Sequence, residues 1–202
     1  MKKIIEQRRS YYSIESKSPI SDEEIEKLIR LSVKYLPSAF NSQSSRIVLL
    51  LHQHHERLWR MVKETLQRIV DLSSFDRVEK KINTFAAGYG TVLYFEDQDV
   101  VEMFRKNNPS YADRFPVWSE HAAAIHQFTI WLLLEEAGFG ASLQHYNPLI
   151  DNEVAYTWDV PNSWKLIAQM PFGTPTKEPE EKVFRSLDSR IRIFSHDTKF
   201  RQ

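Results

Sequence analysis

There is no cysteine anywhere in this chain. Disulfides, thiolate nucleophiles and cysteine-ligated zinc or iron–sulfur centres are thereby excluded. Nor is there an excess of either charge: 27 Lys and Arg face 27 Asp and Glu. A nucleic-acid binder usually carries a basic excess or stripe, and none is visible, so no nucleic-acid partner is expected. Membrane-length apolar runs are missing as well. The longest, AAAIHQFTIWLLL (122–134), contains His126 and Gln127 and is too short to span a bilayer. The first ten residues, MKKIIEQRRS, hold no apolar signal core. A cytoplasmic protein with no membrane partner is therefore expected.

Glycine is scarce, and four of the five glycines fall in two triplets, GYG (88–90) and GFG (138–140). A dinucleotide fingerprint needs its glycines after a strand and at the opening of a helix, where the helix N-terminus meets the phosphate. GFG closes a helical stretch and GYG precedes a strand-like run, so neither is a Rossmann turn or a Walker loop. A helix cap and a strand entry account for them.

What is present suits a sizeable core. The 202 residues are 42% hydrophobic, without repeat, low-complexity tract or clear linker, and suggest a single domain over 1–202. Residues 1–9 look helical. In SPISDEEIEKLIRLSVKYL, Ser21 and Glu24 form a capping box, and Ile25, Leu28, Ile29 and Ser32 then share a helical face. RIVLLLH (46–52) fits a strand buried on both faces. A polar helix with a Leu58, Val62, Leu66, Ile69 stripe follows, then another helical stretch. TVLYFE (91–96) is a second buried strand, and helix resumes near DVVEMFRKN. WSEHAAAIHQFTIWLLLEEAGFG (118–140) predicts a long helix stopped by Gly138. Its middle is apolar nearly all round, which predicts burial on every side and a second subunit packed against it. A short helix near 149–158 comes next. SWKLIAQMPFG (163–173) is a third strand and SRIRIF (189–194) a candidate fourth. The mixture, with helices dominant, gives an α+β chain around a central sheet.

Four stretches carry candidate chemistry. Arg8, Arg9 and Ser10 offer two guanidiniums and a hydroxyl, good phosphate donors, though a solvated helix end would look the same. LPSAFNSQSS (36–45) is rich in amides and hydroxyls, and Asn41 and Gln43 can each donate and accept, as needed at the edge of a heteroaromatic ring; it can equally be a plain connecting loop. HQHHE (52–56) has no matching carboxylate motif and reads as a solvated turn, not a metal site; His121 and His126, five apart, share no helical face well. TPTKEPEEKVFR (174–185) brings Lys177, Lys182 and Arg185, and reads as a solvated tail unless a ligand ties its cations down.

Taken together, RRS, then a capped helix, then PSAFNSQ opening the first strand resembles the FMN-dependent nitroreductase family. The long apolar helix, its GFG stop, the QHYNPLID loop, the PFG strand and the basic tail extend the resemblance over nearly the whole chain. GYGTVLYFED and SLQHYNPLID look most like the subgroup related to the yeast fatty-acid-repression protein. The resemblance implies a three-layer α/β/α sandwich with a mainly antiparallel sheet, in an intertwined homodimer. It implies one FMN at each side of the dimer interface, touched by both chains, with a C-terminal segment of about 180–202 wrapping onto the partner. Carried over by position, Arg8, Arg9, Ser10 and Lys182 would hold the phosphate and ribityl chain. Ser38, Asn41 and Gln43 would reach the flavin from the partner. The segment through Gln144, His145 and Tyr146 would bring a main-chain amide towards flavin N5.

Three departures stand out. The family often has a cation two residues after the R-x-S serine, facing the N1/O2 edge of the flavin, where it stabilises the reduced anion. Here Tyr12 stands there, and Lys81 is the candidate substitute. The usual P-W after N-S-Q is Ser44-Ser45, and the second basic residue of the tail is Phe184, with Arg185 next to it.

The expected activity is ping-pong hydride transfer: NADH or NADPH reduces FMN, and a nitroaromatic, quinone or related small-molecule acceptor reoxidises it. The chemistry lies on the flavin, and no side chain is singled out as catalytic. Phe40, Tyr12 and Tyr146 could line the pocket, and YADRFPVWSE (111–120) could cover it. Two other readings stay open. One is a flavin-binding regulatory or sensor protein in lipid or stress signalling, with little turnover; the other is a flavin-free structural dimer.

Overall fold

The computed structural model describes residues 1–194, so residues 195–202 of the C-terminal segment lie outside the described part. The chain opens with α1 (Lys2–Gln7) and β1 (Ile14–Glu15), followed by α2 (Asp22–Tyr35). As the sequence predicts, Ser21 and Glu24 cap α2 reciprocally: the Ser21 hydroxyl accepts from the Glu24 N–H, and the Glu24 carboxylate from the Ser21 N–H. Then come β2 (Ser45–Leu51), α3 (Gln53–Gln67), α4 (Leu72–Ala86), β3 (Gly90–Asp97) and α5 (Gln98–Asn107). The chain continues through α6 (Phe115–Glu136), β4 (Gly140–Ala141), α7 (Asp151–Trp158) and β5 (Trp164–Pro175).

The sheet runs β1-β5-β3-β2, with β4 also on β5, and every pairing between named strands is antiparallel. β3 lies between β2 and β5 and is buried along its whole length. Its side chains alternate between two cores, as the pleat requires. Leu93 and Phe95 pack with Leu58, Trp59, Val62, Ile82 and Phe85 from α3 and α4, and with Ile150 and Val154 beside α7. Val92 and Tyr94 pack with Ile25 and Ile29 of α2 and Ile130 and Leu134 of α6. Helices on both faces of an antiparallel sheet make the three-layer α+β sandwich that was expected.

Four details differ from the sequence reading. RIVLLLH forms β2, but as an edge strand most of its residues are only half-buried. SRIRIF forms no strand among the described residues; Ile191, Ile193 and Phe194 are exposed, because no other strand of the chain lies beside them to pair with. β1 and β4, two residues each, were not anticipated, since so short a piece shows no period. Ile69 falls beyond the end of α3 and is exposed.

α6 ends as predicted, with Gly138 at φ 92 just past its cap. Its burial is one-sided within the chain. Ala122, Ala123, Ile130 and Leu134 are covered, while Val117, Ile125 and Phe128 are 48%, 38% and 45% exposed. No helix of the described residues is long and apolar enough to cross a membrane.

Candidate functional site

The arginine segment is tied down at both ends. The Arg8 N–H donates to the Ile4 carbonyl (2.9 Å), closing α1. Ser10 then bridges to Ala141, and the Tyr11 N–H donates to the Ala141 carbonyl (2.9 Å). Gly140 makes this docking possible: a Cβ there would stand 2.7 Å from Tyr11 Cγ and 2.8 Å from its Cβ.

Beside this segment opens a cleft of about 440 Å³, lined by Arg8 to Ser13 and by Lys177 to Glu180 and Lys182. Four cations, Arg8, Arg9, Lys177 and Lys182, face it against two carboxylates, Glu178 and Glu180. The tail is exposed along most of its length, as expected, but two contacts tether it to the arginine segment: Arg9 donates to the Glu180 carbonyl and the Tyr11 hydroxyl donates to Glu178 (3.4 Å). Lys182 Nζ sits 5.3 Å from the Phe184 ring, so Phe184, standing where a second cation was expected, packs beside the first. Arg185 is exposed and does not line the cleft.

The guanidinium of Arg8 lies 4.3 Å over the Trp131 ring of α6. Burial pulls the Arg8 pKa down, with Glu135 acting the other way. Its Nη1 is shielded from solvent and has no hydrogen-bond partner among the described residues. An anion with several oxygens is the chemistry such a group lacks. The donor set therefore fits a phosphate.

From the cleft, a chain of aromatic contacts leads inward. Tyr12, half exposed, meets Phe85 of α4 (6.2 Å between centroids); Phe85 meets Trp59 (5.0 Å), and Trp59 meets Tyr146 edge-on (5.8 Å). Lys81 is exposed one turn before Phe85 on α4, so it stands on the helix face that Tyr12 approaches. The segment after β4 is anchored to β5. Gln144 is buried and pairs with Gln169 through the main chain in both directions (2.7 and 2.9 Å). The Tyr146 N–H donates to the Gln169 side chain (2.7 Å), while His145 is exposed. Burial raises the Tyr146 pKa to about 12, so its phenol stays protonated at neutral pH.

Ser38, Asn41 and Gln43 are not at this cleft within one chain. They lie on the loop before β2, where Phe40, Asn41 and Gln43 all take positive φ (56°, 52° and 50°). Ser38 accepts from the Gln43 N–H (2.9 Å), and both line a larger groove of about 760 Å³ between α2 and β2. Phe40, 53% exposed, stacks on Trp118 (5.8 Å) and touches Tyr111 and Phe115, so the 111–120 segment packs against this loop. The loop is held from behind. Ser44 (2.6 Å) and Ser45 both donate to Glu96, which is fully buried, and Arg46 pairs with Asp97 (2.9 Å). Sequence reasoning missed Glu96, yet two hydroxyls in place of P-W were its signal. Trp131 and Glu135, four apart on α6, were missed as well.

The HQHHE histidines have three separate partners. His52 meets Asp22 (2.7 Å), His54 accepts from the Trp158 indole (3.2 Å) and His55 meets Thr91 (2.8 Å). His55 is buried, a correction to the solvated turn expected there. No three His, Asp or Glu among the described residues are grouped to hold a metal ion.

The model of the Nitroreductase family matches residues 5–174. The chain is 31% identical to the nitroreductase FRM2 of Saccharomyces cerevisiae over 182 residues, 89% of this chain and 90% of the relative. Among solved structures, nitroreductase CinD from Lactococcus lactis in complex with nicotinic acid has a TM-score of 0.88 at 37% identity, covering 96% of this chain and 98% of that one. The same protein in complex with 4-nitrophenol gives a TM-score of 0.85 at 38% identity with the same coverage.

Proposed function

This chain belongs to the nitroreductase family of oxidoreductases, and on that premise we propose an FMN-dependent enzyme that takes electrons from NADH or NADPH and passes them to nitroaromatic, quinone or related acceptors. The observation that carries the cofactor is the cleft with four cations and an Arg8 Nη1 that has no partner among the described residues. The solved complexes of CinD with nicotinic acid and 4-nitrophenol support the choice of donor and acceptor class.

Arg8, Arg9, Ser10 and Lys182 hold the phosphate in this reading, with Lys177 beside them. FMN held there would supply the redox chemistry that links the nicotinamide donor to the acceptor. The protein's part is binding, orientation and exclusion of water. Tyr12, Phe85, Trp59 and Tyr146 form an apolar wall inward of the phosphate site. The Gln144–Tyr146 main chain, pinned by Gln169, is rigid enough to present an amide to a ring edge. Lys81 is the candidate cation for that edge in place of Tyr12. Arg185, off the cleft, is at most a secondary contact.

A homodimer completes the site. Ser38, Asn41 and Gln43 then act on the partner's flavin. Two features support it: the exposed apolar face of α6 and the unpaired edge of β2. The described part of the C-terminal segment, 180–194, crosses to the partner in this arrangement, and SRIRIF, unpaired among the described residues, gains a surface there.

Initial rates at varied NAD(P)H and nitroaromatic test the proposal. Parallel double-reciprocal lines are expected, because one site serves both substrates in turn. Intersecting lines would mean that both bind together. Tyr12, a phenol where the family often has a cationic side chain, favours a second reading, a flavin-binding sensor in lipid or stress signalling. A flavin-loaded protein without NAD(P)H oxidation would support that one.

A further inference from the structure

Arg8 Nη1, Trp131 Nε1 and Glu135 Oε2 are buried polar atoms without hydrogen-bond partners among the described residues, and all three belong to the contact between the arginine segment and α6. Such atoms are rare in folded proteins, and each requires an explanation. Trp131 and Glu135 are one turn apart on α6 and so lie side by side on the face that meets the Arg8–Tyr11 segment. The main chain there is already fixed, by the Arg8 bond to Ile4 and the Tyr11 bond to Ala141. What α6 determines is where the Arg8 side chain goes and how much of its charge is free.

The two α6 residues do different work. The Arg8 guanidinium carbon stands over the Trp131 ring, 4.3 Å from its centroid, a cation–π contact that holds the group in place. Glu135 acts on Arg8 electrostatically, opposing the effect of burial on the guanidinium. Resting on the reading of the cleft as the FMN phosphate site, we propose that Trp131 and Glu135 are positioning residues for Arg8, Trp131 aiming the guanidinium and Glu135 regulating its charge. Neutral Glu135 leaves the guanidinium free for the phosphate. Ionised Glu135 compensates Arg8 and repels the phosphate.

The surroundings favour the neutral form well into the working range. Burial raises the Glu135 pKa to about 7, and Glu178 pushes the same way; Arg8 and the Arg9 main-chain N–H act against them. From the arginine segment Arg8, Arg9 and Tyr11 face this carboxyl, and from the tail Glu178 does. Tyr11 is held above its ordinary range by burial and by Glu135 and Glu178, so it does not titrate near neutrality. The phosphate gains its second charge near pH 6. FMN affinity should therefore rise through pH 6 and fall again as Glu135 ionises above about pH 7.

The test is the binding of FMN and of riboflavin, which has no phosphate, to the flavin-stripped full-length protein between pH 5.5 and 9. For the wild type we expect FMN affinity to drop on the order of tenfold from its maximum to pH 9, with riboflavin affinity flat. Glu135→Gln should keep FMN affinity at its maximum up to pH 9. Trp131→Leu should weaken FMN on the order of tenfold at every pH and leave riboflavin unchanged, and Trp131→Phe should restore most of the loss. A general packing defect would weaken both ligands alike and overturn the positioning role. Wild-type FMN binding that falls above pH 7 identically in Glu135→Gln would overturn the charge role. A wild type that does not prefer FMN to riboflavin would remove the phosphate site itself, and this inference with it.

Discussion

Arg8 concentrates the account at the scale of one residue. Its loss should cost about 2 kcal/mol of FMN binding, typical of a charge-assisted hydrogen bond. Arg8→Ala should accordingly retain FMN tens of times more weakly in a fluorescence titration, and equal retention would remove Arg8 from the phosphate site. His55 carries a prediction of another kind. Its Nε2 faces the Ala86 carbonyl (3.2 Å), which can only accept, so Nε2 carries the proton and Nδ1 accepts from Thr91. Burial lowers the His55 pKa to about 4 from an ordinary 6.5. Between those values the unfolded chain binds more protons, so His55 contributes stability above pH 6.5 that is lost as pH falls through 4. The full contribution is roughly 3 kcal/mol. Glu135 has the opposite sign, its share being present below its unfolded pKa and lost as pH rises through about 7. Chemical denaturation from pH 4 to 8 should thus show His55→Gln losing stability relative to wild type above pH 6.5 and converging with it near pH 4. A constant gap would contradict the buried neutral imidazole. RRS was legible as a cationic cluster, the basis of the proposed phosphate site, because its charges sit in adjacent residues. Trp131, Glu135 and Glu96 were not, since what each touches lies more than fifty residues away along the chain.

Among the elements, β4 is small in length and large in consequence, because it docks the arginine segment. Gly140→Ala would press a methyl into Tyr11 and Pro175. We expect a loss of about 1–3 kcal/mol in denaturant unfolding, together with weaker FMN retention as Ser10 and Tyr11 shift. Ser21→Ala should separate the two effects: about 1 kcal/mol of stability lost with the α2 cap, and flavin binding intact. Loss of flavin in Ser21→Ala, or its full retention in Gly140→Ala, would contradict this division. The elements with a clear period were readable in advance. α2 carried its own cap, β3 and β5 were dense apolar runs, and α6 ended at Gly138. The two-residue strands had no period to read. The alternation in SRIRIF was genuine, but a strand exists only against a partner, and the chain offers it none among the described residues.

For the whole molecule, the apolar face of α6 and the free edge of β2 lead to the proposed dimer. Phe128→Arg sets a charge on that exposed face, one turn before Trp131 on α6. Sedimentation should find dimer for the wild type and monomer for this variant, with FMN lost along with the partner's Ser38, Asn41 and Gln43. A monomeric variant that keeps FMN fully would show that one chain suffices. The fold and its layers were legible because hydrophobic pattern sets them within a chain. In the proposed dimer the site is shared between chains, so each sequence carries half of it, and the arginine cleft and the α2–β2 groove are the two concavities the proposal joins.

The most direct test of the central claim is the visible spectrum of the purified protein, before and after anaerobic addition of NADH or NADPH. The account predicts a flavin spectrum that bleaches within seconds and returns on adding a nitroaromatic. A spectrum that stays oxidised, or a colourless protein that takes up no added FMN, would contradict it.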